Sequence, residues 1–188
     1  MRPSKRDELV RKAQAIFYRG GFHATGMDRL VAETGISKTA MYNHFRTKED
    51  LILAALRLRD EEFRNWLFRR LEELAKTPRG QLLAFFDALR EWFAQPDFKG
   101  CIFVKAASEF QEPGHPIHAQ SAAHKRLLEA HAARLAAEAG AEDPAGLARR
   151  LMLLKEGAIV AAQLGHTPDP AGDAKTAAAA MIAAALPG

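Results

Sequence analysis

The stretch GISKTAMYNHFRTKEDL, Gly35 to Leu51, decides how this chain folds. At the angular step of a helix, Met41 and Phe45 fall on one side of a segment over Lys38–Phe45, and Thr39, Asn43 and Arg46 fall on the other. Ser37 is suited to cap that helix, and Gly35 before it to supply a left-handed turn. A helix this short does not form alone in water, because nucleation is costly, so its apolar side has to be held by packing. The outer side lacks the Glu/Lys pairs of an ordinary solvated face. It offers Lys38, Thr39, Tyr42, Asn43 and His44, which are donors suited to phosphates and base edges.

Working outward, Leu9, Ala13, Ile16 and Phe17 make one face of a first helix over Lys5–Arg19, closed by Gly20-Gly21. A second helix over Gly26–Glu33 turns Met27, Leu30 and Val31 inward. Helix, glycine turn, helix is the arrangement that presents its second helix to a DNA major groove, with Ile36, Met41 and Phe45 as the anchors. Helix starts carry a repeated device. Ser4-x-x-Asp7, Thr25-x-x-Asp28 and Thr47-x-x-Asp50 each place a hydroxyl cap before an acid in the first turn.

Charge is concentrated in the same region. Residues 1–50 contain ten Lys/Arg and six Asp/Glu, whereas residues 51–188 contain seventeen of each, so the whole net charge of +4 lies in the first quarter. That distribution suits a polyanion-binding module on a neutral body, although a merely basic solvated surface would look the same by charge alone. Cys101 is the single cysteine, which excludes an intrachain disulfide and fits a reducing compartment. The N-terminus shows no apolar signal region, and the longest apolar run, Ala177 to Leu186, is about half the ~20 residues that span a bilayer. A cytoplasmic protein without membrane contact is expected.

The remainder reads as further helices, about nine in all, with no alternating strand pattern: an all-α chain. They run over 47–75, 79–94, 100–110, 115–139, 144–165 and 171–186. All fifteen aromatic residues lie between Phe17 and Phe110, and the last 78 residues are rich in Ala and Leu instead. Leu147, Leu151, Leu154, Ala158 and Ala162 form one stripe in this tail, and Met181 belongs to another. Such stripes serve either intrachain packing or a four-helix bundle with a second subunit.

The block TGMDRLVAETGISKTAMYNHFRTKEDLILAAL resembles the N-terminal helix-turn-helix of the TetR family of transcriptional regulators, closely over Leu9–Leu56. The resemblance implies a DNA-binding domain over residues 1–46 and a helical ligand-binding and dimerisation domain over 47–188. It also implies that Thr25, Tyr42, His44 and Lys48 hold phosphates, and that Lys38, Thr39 and Asn43 lie near base edges. Thr39 and Ala40 depart from the family's frequent Gly-Thr, which leaves the operator sequence open. The expected partners are a double-stranded DNA operator with inverted repeats, a second copy of the chain and a small-molecule effector that releases a repressor. Regulation without any effector is the alternative.

The segment FKGCIFVKAASEFQEPGHPIH is similar to a block found in a subset of these regulators, with Lys105 where Asn is usual. In that setting Phe63, Trp66, Phe85, Phe86, Trp92, Phe93, Cys101, Phe103, Lys105 and Phe110 become candidate walls of a ligand cavity, against the plainer reading of a filled core. Lys105 either pairs with Glu109 one turn on or faces the cavity and favours an acidic ligand. His115, His118, His124 and His131, with Cys101 and Glu112, do not fall on one helix face, so no metal is expected, and no cofactor. Cys101 has no recognisable base and orienter in its surroundings, so a helical enzyme built on it is the remote alternative and no enzymatic activity is expected.

Overall fold

The computed structural model describes Ser4–Leu186. Among these residues there are nine helices and no strand: α1 (Lys5–Gly20), α2 (Met27–Thr34), α3 (Lys38–His44), α4 (Lys48–Leu74), α5 (Pro78–Phe93), α6 (Ile102–Glu109), α7 (Pro116–Glu138), α8 (Pro144–Leu164) and α9 (Pro170–Ala185). Each lies within two residues of its expected bounds. The chain packs as two compact units. One takes residues up to Phe63 together with Cys101–His124, and the other takes Arg64–Gly100 with the chain from Lys125 onward.

In the first unit, α1 buries Leu9, Ala13, Ile16 and Phe17, and Leu30 of α2, Met41 of α3 and Leu51, Ile52 and Leu56 of α4 join the same core. Ser4 and Asp7 exchange bonds at the start of α1 in a full capping box. Thr47 and Asp50 do the same before α4. The third expected box does not form. The cap of α2 is Gly26, with no side-chain bond, because Thr25 is buried and turns its hydroxyl back to the Gly21 carbonyl at 2.7 Å.

In the second unit, α8 packs on α9 and α5 packs on both. Leu82, Phe85, Phe86 and Leu89 of α5, Leu147, Leu151 and Ile159 of α8, and Ala178 and Ile182 of α9 are buried. Three of its helices open with one device: Thr77-Pro78-x-Gly80, Asp143-Pro144-x-Gly146 and Asp169-Pro170-x-Gly172. In each, the capping oxygen accepts the glycine N–H and proline occupies the first turn, where its missing donor costs nothing. Glycine is required for the close approach: a Cβ on Gly146 would overlap the Asp143 carboxylate.

The expected subunit stripe divides between the core and the surface. Leu147, Leu151 and Ala158 are buried inside the single chain, while Leu154, Ala162 and Met181 are half-buried, and Leu154 and Ala158 line a groove beside α9. The strongly exposed apolar side chains of α8 are Leu153, at 72 %, Leu164, at 69 %, and Val160. Leu153 reaches that groove, about 380 Å³ between α8 and α9, which Gly157, Ala161 and Ala177 also help to line.

Candidate nucleic-acid interface

The turn between α2 and α3 is fixed from several directions. Gly35 sits at φ 71° and ψ 12°, a left-handed conformation that glycine adopts without a Cβ clash. Thr34 is buried; its hydroxyl donates to the Leu30 carbonyl at 2.7 Å and accepts the Ile36 N–H at 3.1 Å. Lys12 of α1 reaches the Thr34 carbonyl at 2.9 Å. Ser37 then caps α3 by accepting the Ala40 N–H. Met41 and Phe45 are buried as anchors, each stabilising the helix by about 1.5–3 kcal/mol. The Arg6 guanidinium lies 4.9 Å from the centre of the Phe45 ring.

Against this anchored side, Lys38, Thr39, Tyr42, Asn43 and His44 are all exposed on the outside of α3. Tyr42, at 46 %, is an unusual aromatic to leave in water. Lys38 meets Asp28 only at 3.5 Å in an exposed pair that is easily exchanged for a phosphate. Of the seven expected DNA-contacting residues, these five are therefore brought to one surface. Thr25 and Lys48 depart from that expectation. The Thr25 hydroxyl is buried and donates to the Gly21 carbonyl. Lys48 is half-buried and donates to the Phe22 and Thr25 carbonyls at 3.0 and 3.3 Å, bracing the loop in front of α2.

The same loop is gripped by α6, a feature that no local sequence pattern announced. The Glu109 carboxylate accepts the Phe22 N–H at 2.9 and 3.1 Å and the His23 N–H at 2.6 Å. The His23 ring nitrogen lies 2.9 Å from the Glu109 carbonyl. Lys105 donates to the Tyr18 carbonyl at 3.1 Å and lies over the Tyr18 ring, while the carboxylate of Glu109 goes to the loop amides. Between α1 and α2, Glu33 receives Arg29 at 2.6 Å and Arg19 at 2.7 Å. The Arg29 hydrogen bond, supported by Arg19, holds the Glu33 carboxyl below the usual range.

The candidate cavity residues divide between the units. In the first, Phe103 stacks on His124 at 3.7 Å with Phe63 edge-on at 5.8 Å, and His124 Nδ1 lies 2.7 Å from the Asp60 carboxylate. Cys101 is buried at the cap of α6, and Phe110 packs among Phe22, His23 and His115. In the second, Phe85, Phe86 and Trp92 are buried and Trp66 is half-buried. Phe93 is half-buried and joins Trp92 and Phe98 in an aromatic cluster. Among the described residues no group of three His, Cys, Asp or Glu side chains could hold a metal ion. No helix there is long and apolar enough to cross a membrane.

A family model described as bacterial regulatory proteins, tetR family, matches residues 9–55, and one described as tetracyclin repressor-like, C-terminal domain, matches residues 78–178. The chain belongs to the TetR family. Within it, the chain is a DNA-binding transcriptional regulator. The crystal structure of SCO4454, a TetR-family transcriptional regulator from Streptomyces coelicolor, superposes with a TM-score of 0.88 at 28% identity, over 96% of this chain and 95% of that one. The HTH-type transcriptional regulator YjdC of Escherichia coli is 23% identical over 82% of this chain and 81% of its own length. The HTH-type transcriptional repressor KstR2 of Mycolicibacterium smegmatis is 31% identical over 49% of this chain and 46% of its own.

Proposed function

We propose that this TetR-family chain is a repressor that works in the cytoplasm as a homodimer, reads an inverted-repeat operator with α3 and is released by a small-molecule effector. The observation that carries this reading is the outer face of α3, where five exposed donor side chains stand on a helix whose other side is anchored. Lys38 and Asn43 suit guanine and adenine edges, Thr39 suits either, and Tyr42 and His44 suit backbone oxygens. The N–H groups that open α2, left without a side-chain cap at Gly26, suit a further phosphate, so the position of Thr25 contributes through the backbone around it.

Residues 1–46 form the reading head, and 47–188 carry effector response and dimerisation. The exposed face of Leu153, Val160 and Leu164 on α8, with its groove beside α9, supports the dimer contact. Two heads then occupy successive major grooves. An effector that binds two conformations of the chain unequally shifts the population that fits the operator.

The test is fluorescence anisotropy of a promoter fragment from the gene's own neighbourhood, titrated at several salt concentrations. Tyr42→Ala should weaken binding on every sequence, and Asn43→Ala should relax preference at one base position by roughly 1–3 kcal/mol. Wild-type binding that shows neither salt dependence nor a response to both variants refutes the reading.

A further inference from the structure

The cations of the first unit are not equally available to DNA. Glu62 takes Arg11, Glu8 takes Lys12, and Glu33 takes both Arg19 and Arg29. Arg6 lies over the Phe45 ring, and Arg59 over Tyr18 and Phe63. Lys38 keeps its exposed pair with Asp28. Of the Lys and Arg side chains between residues 5 and 63, only Lys5, Arg46 and Arg57 have no ion pair, hydrogen bond or ring contact among the described residues. Lys5 opens α1, and Arg57 lies further along α4, where it shares a groove with Asp7 and Glu61. Arg46 is the one that follows α3 directly in the chain. The backbone at Phe45 is extended, φ −139° and ψ 122°, and its ring is buried, so the next side chain leaves towards the open side. Arg46 is exposed there.

Lys48 is committed elsewhere. Its ammonium donates to the Phe22 and Thr25 carbonyls at 3.0 and 3.3 Å, while the Glu109 carboxylate accepts the Phe22 and His23 N–H groups of the same loop. A cation thus holds the acceptors of this loop and an anion its donors. Turning Lys48 to a phosphate would strip two partly buried carbonyls of their donor, which offsets the new contact, whereas Arg46 gives up only water. We propose that Arg46 holds a backbone phosphate of the operator, in the role that the family resemblance gives to Lys48, and that Lys48 is a positioning residue acting through the loop before α2. A guanidinium presents paired N–H donors in a planar fork that matches a phosphate. The inference rests on the DNA-binding reading of α3 and adds a residue to that surface.

The promoter fragment, and random-sequence DNA of the same length, are titrated by fluorescence anisotropy at several salt concentrations with the wild type and four variants. Each phosphate contact contributes about 0.9 to the slope of log affinity against log salt. Arg46→Ala should flatten that slope by about 0.9 per bound chain on both DNAs, and its deficit should shrink about 3.5-fold per chain between about 50 and 200 mM salt. Arg46→Lys, which keeps the charge, should keep the slope. Lys48→Met should weaken operator binding by roughly 3- to 10-fold at an unchanged slope, with random DNA bound as before, and Lys48→Arg should recover part of the loss. A role in fold stability alone moves none of these readings well below the melting transition. A slope that Arg46→Ala leaves unchanged overturns the proposal, and so does one that Lys48→Met flattens by about 0.9. Wild-type binding without salt dependence fails the DNA-binding reading as well; a wild-type slope untouched by Arg46→Ala fails this inference alone.

Discussion

Removing the Glu109 carboxylate should loosen the loop in front of α2 without touching any residue that faces DNA. In Glu109→Ala, two backbone donors, Phe22 N–H and His23 N–H, lose a charged acceptor at 2.6 to 3.1 Å. A hydrogen bond to a charged group is worth about 1.5–3 kcal/mol, and the exposed His23 amide recovers part of that from water. A net destabilisation of about 2–3 kcal/mol follows, or roughly 5–10 °C in Tm for a chain of this length. Glu109→Gln, which retains one neutral acceptor oxygen, should lose about half as much. Amide exchange by NMR is the sharpest assay. The Phe22 and His23 amides should exchange roughly 30- to 150-fold faster, the conversion of that free energy, while amides in α9 change little. Operator affinity should fall although α3 is intact, with the salt slope unchanged because no phosphate contact is removed. Wild-type exchange rates at Phe22 and His23 in Glu109→Ala would refute the role of this carboxylate.

Three further outcomes are expected. Leu164→Glu on the exposed face of α8 should convert a dimer into a folded monomer in light scattering, whereas the same change at buried Leu151 should unfold the chain; a dimer that tolerates Leu164→Glu excludes that face. Gly146→Ala should leave stability within about 0.5 kcal/mol of wild type, because the ~1 kcal/mol helix gain of alanine is offset by expulsion of the Asp143 cap. In an Asp143→Ala background the same substitution should show the gain in full, and equal effects in both backgrounds would dismiss the clash. Finally, the His131 pKa lies at about 4 against 6.5 for the unfolded chain. The unfolded state therefore binds more protons between these values, and stability contributed by the neutral ring is complete above about pH 6.5 and falls away towards pH 4. With allowance for the partly open ring the loss is about 1–2 kcal/mol, and urea titrations across that range should show it shrinking in His131→Phe.

Much of this was legible in the residues. The two sides of α3 follow from its angular periodicity, and the caps at Ser4 and Thr47 from local spacing. Thr25 has the same local spacing and behaves differently, because the preceding glycine turn buries it and offers the Gly21 carbonyl first. Lys48 and Glu109 find their partners 26 and 87 residues away, beyond any motif. The exposed face of α8 was not legible for a different reason. That helix is apolar on most sides, so periodicity gives little contrast between the side that packs on α5 and α9 and the side left open. His131 was visible only as one of several histidines. Its ring stacks on Phe68 of α4 and meets Phe85 of α5 edge-on, contacts that no spacing encodes.

The repeated cap, proline, spacer and glycine at the starts of α5, α8 and α9 has a consequence for how this regulator can change. Each start is specified by four consecutive residues at the helix end, of which only Gly146 and Ala171 are buried. Where a helix begins, and so the register of every side chain along it, is thereby insulated from the identity of the side chains it buries. Mutation can exchange the lining of the second unit one residue at a time without sliding a helix. The frame of the second unit is in that way separated from what the frame holds.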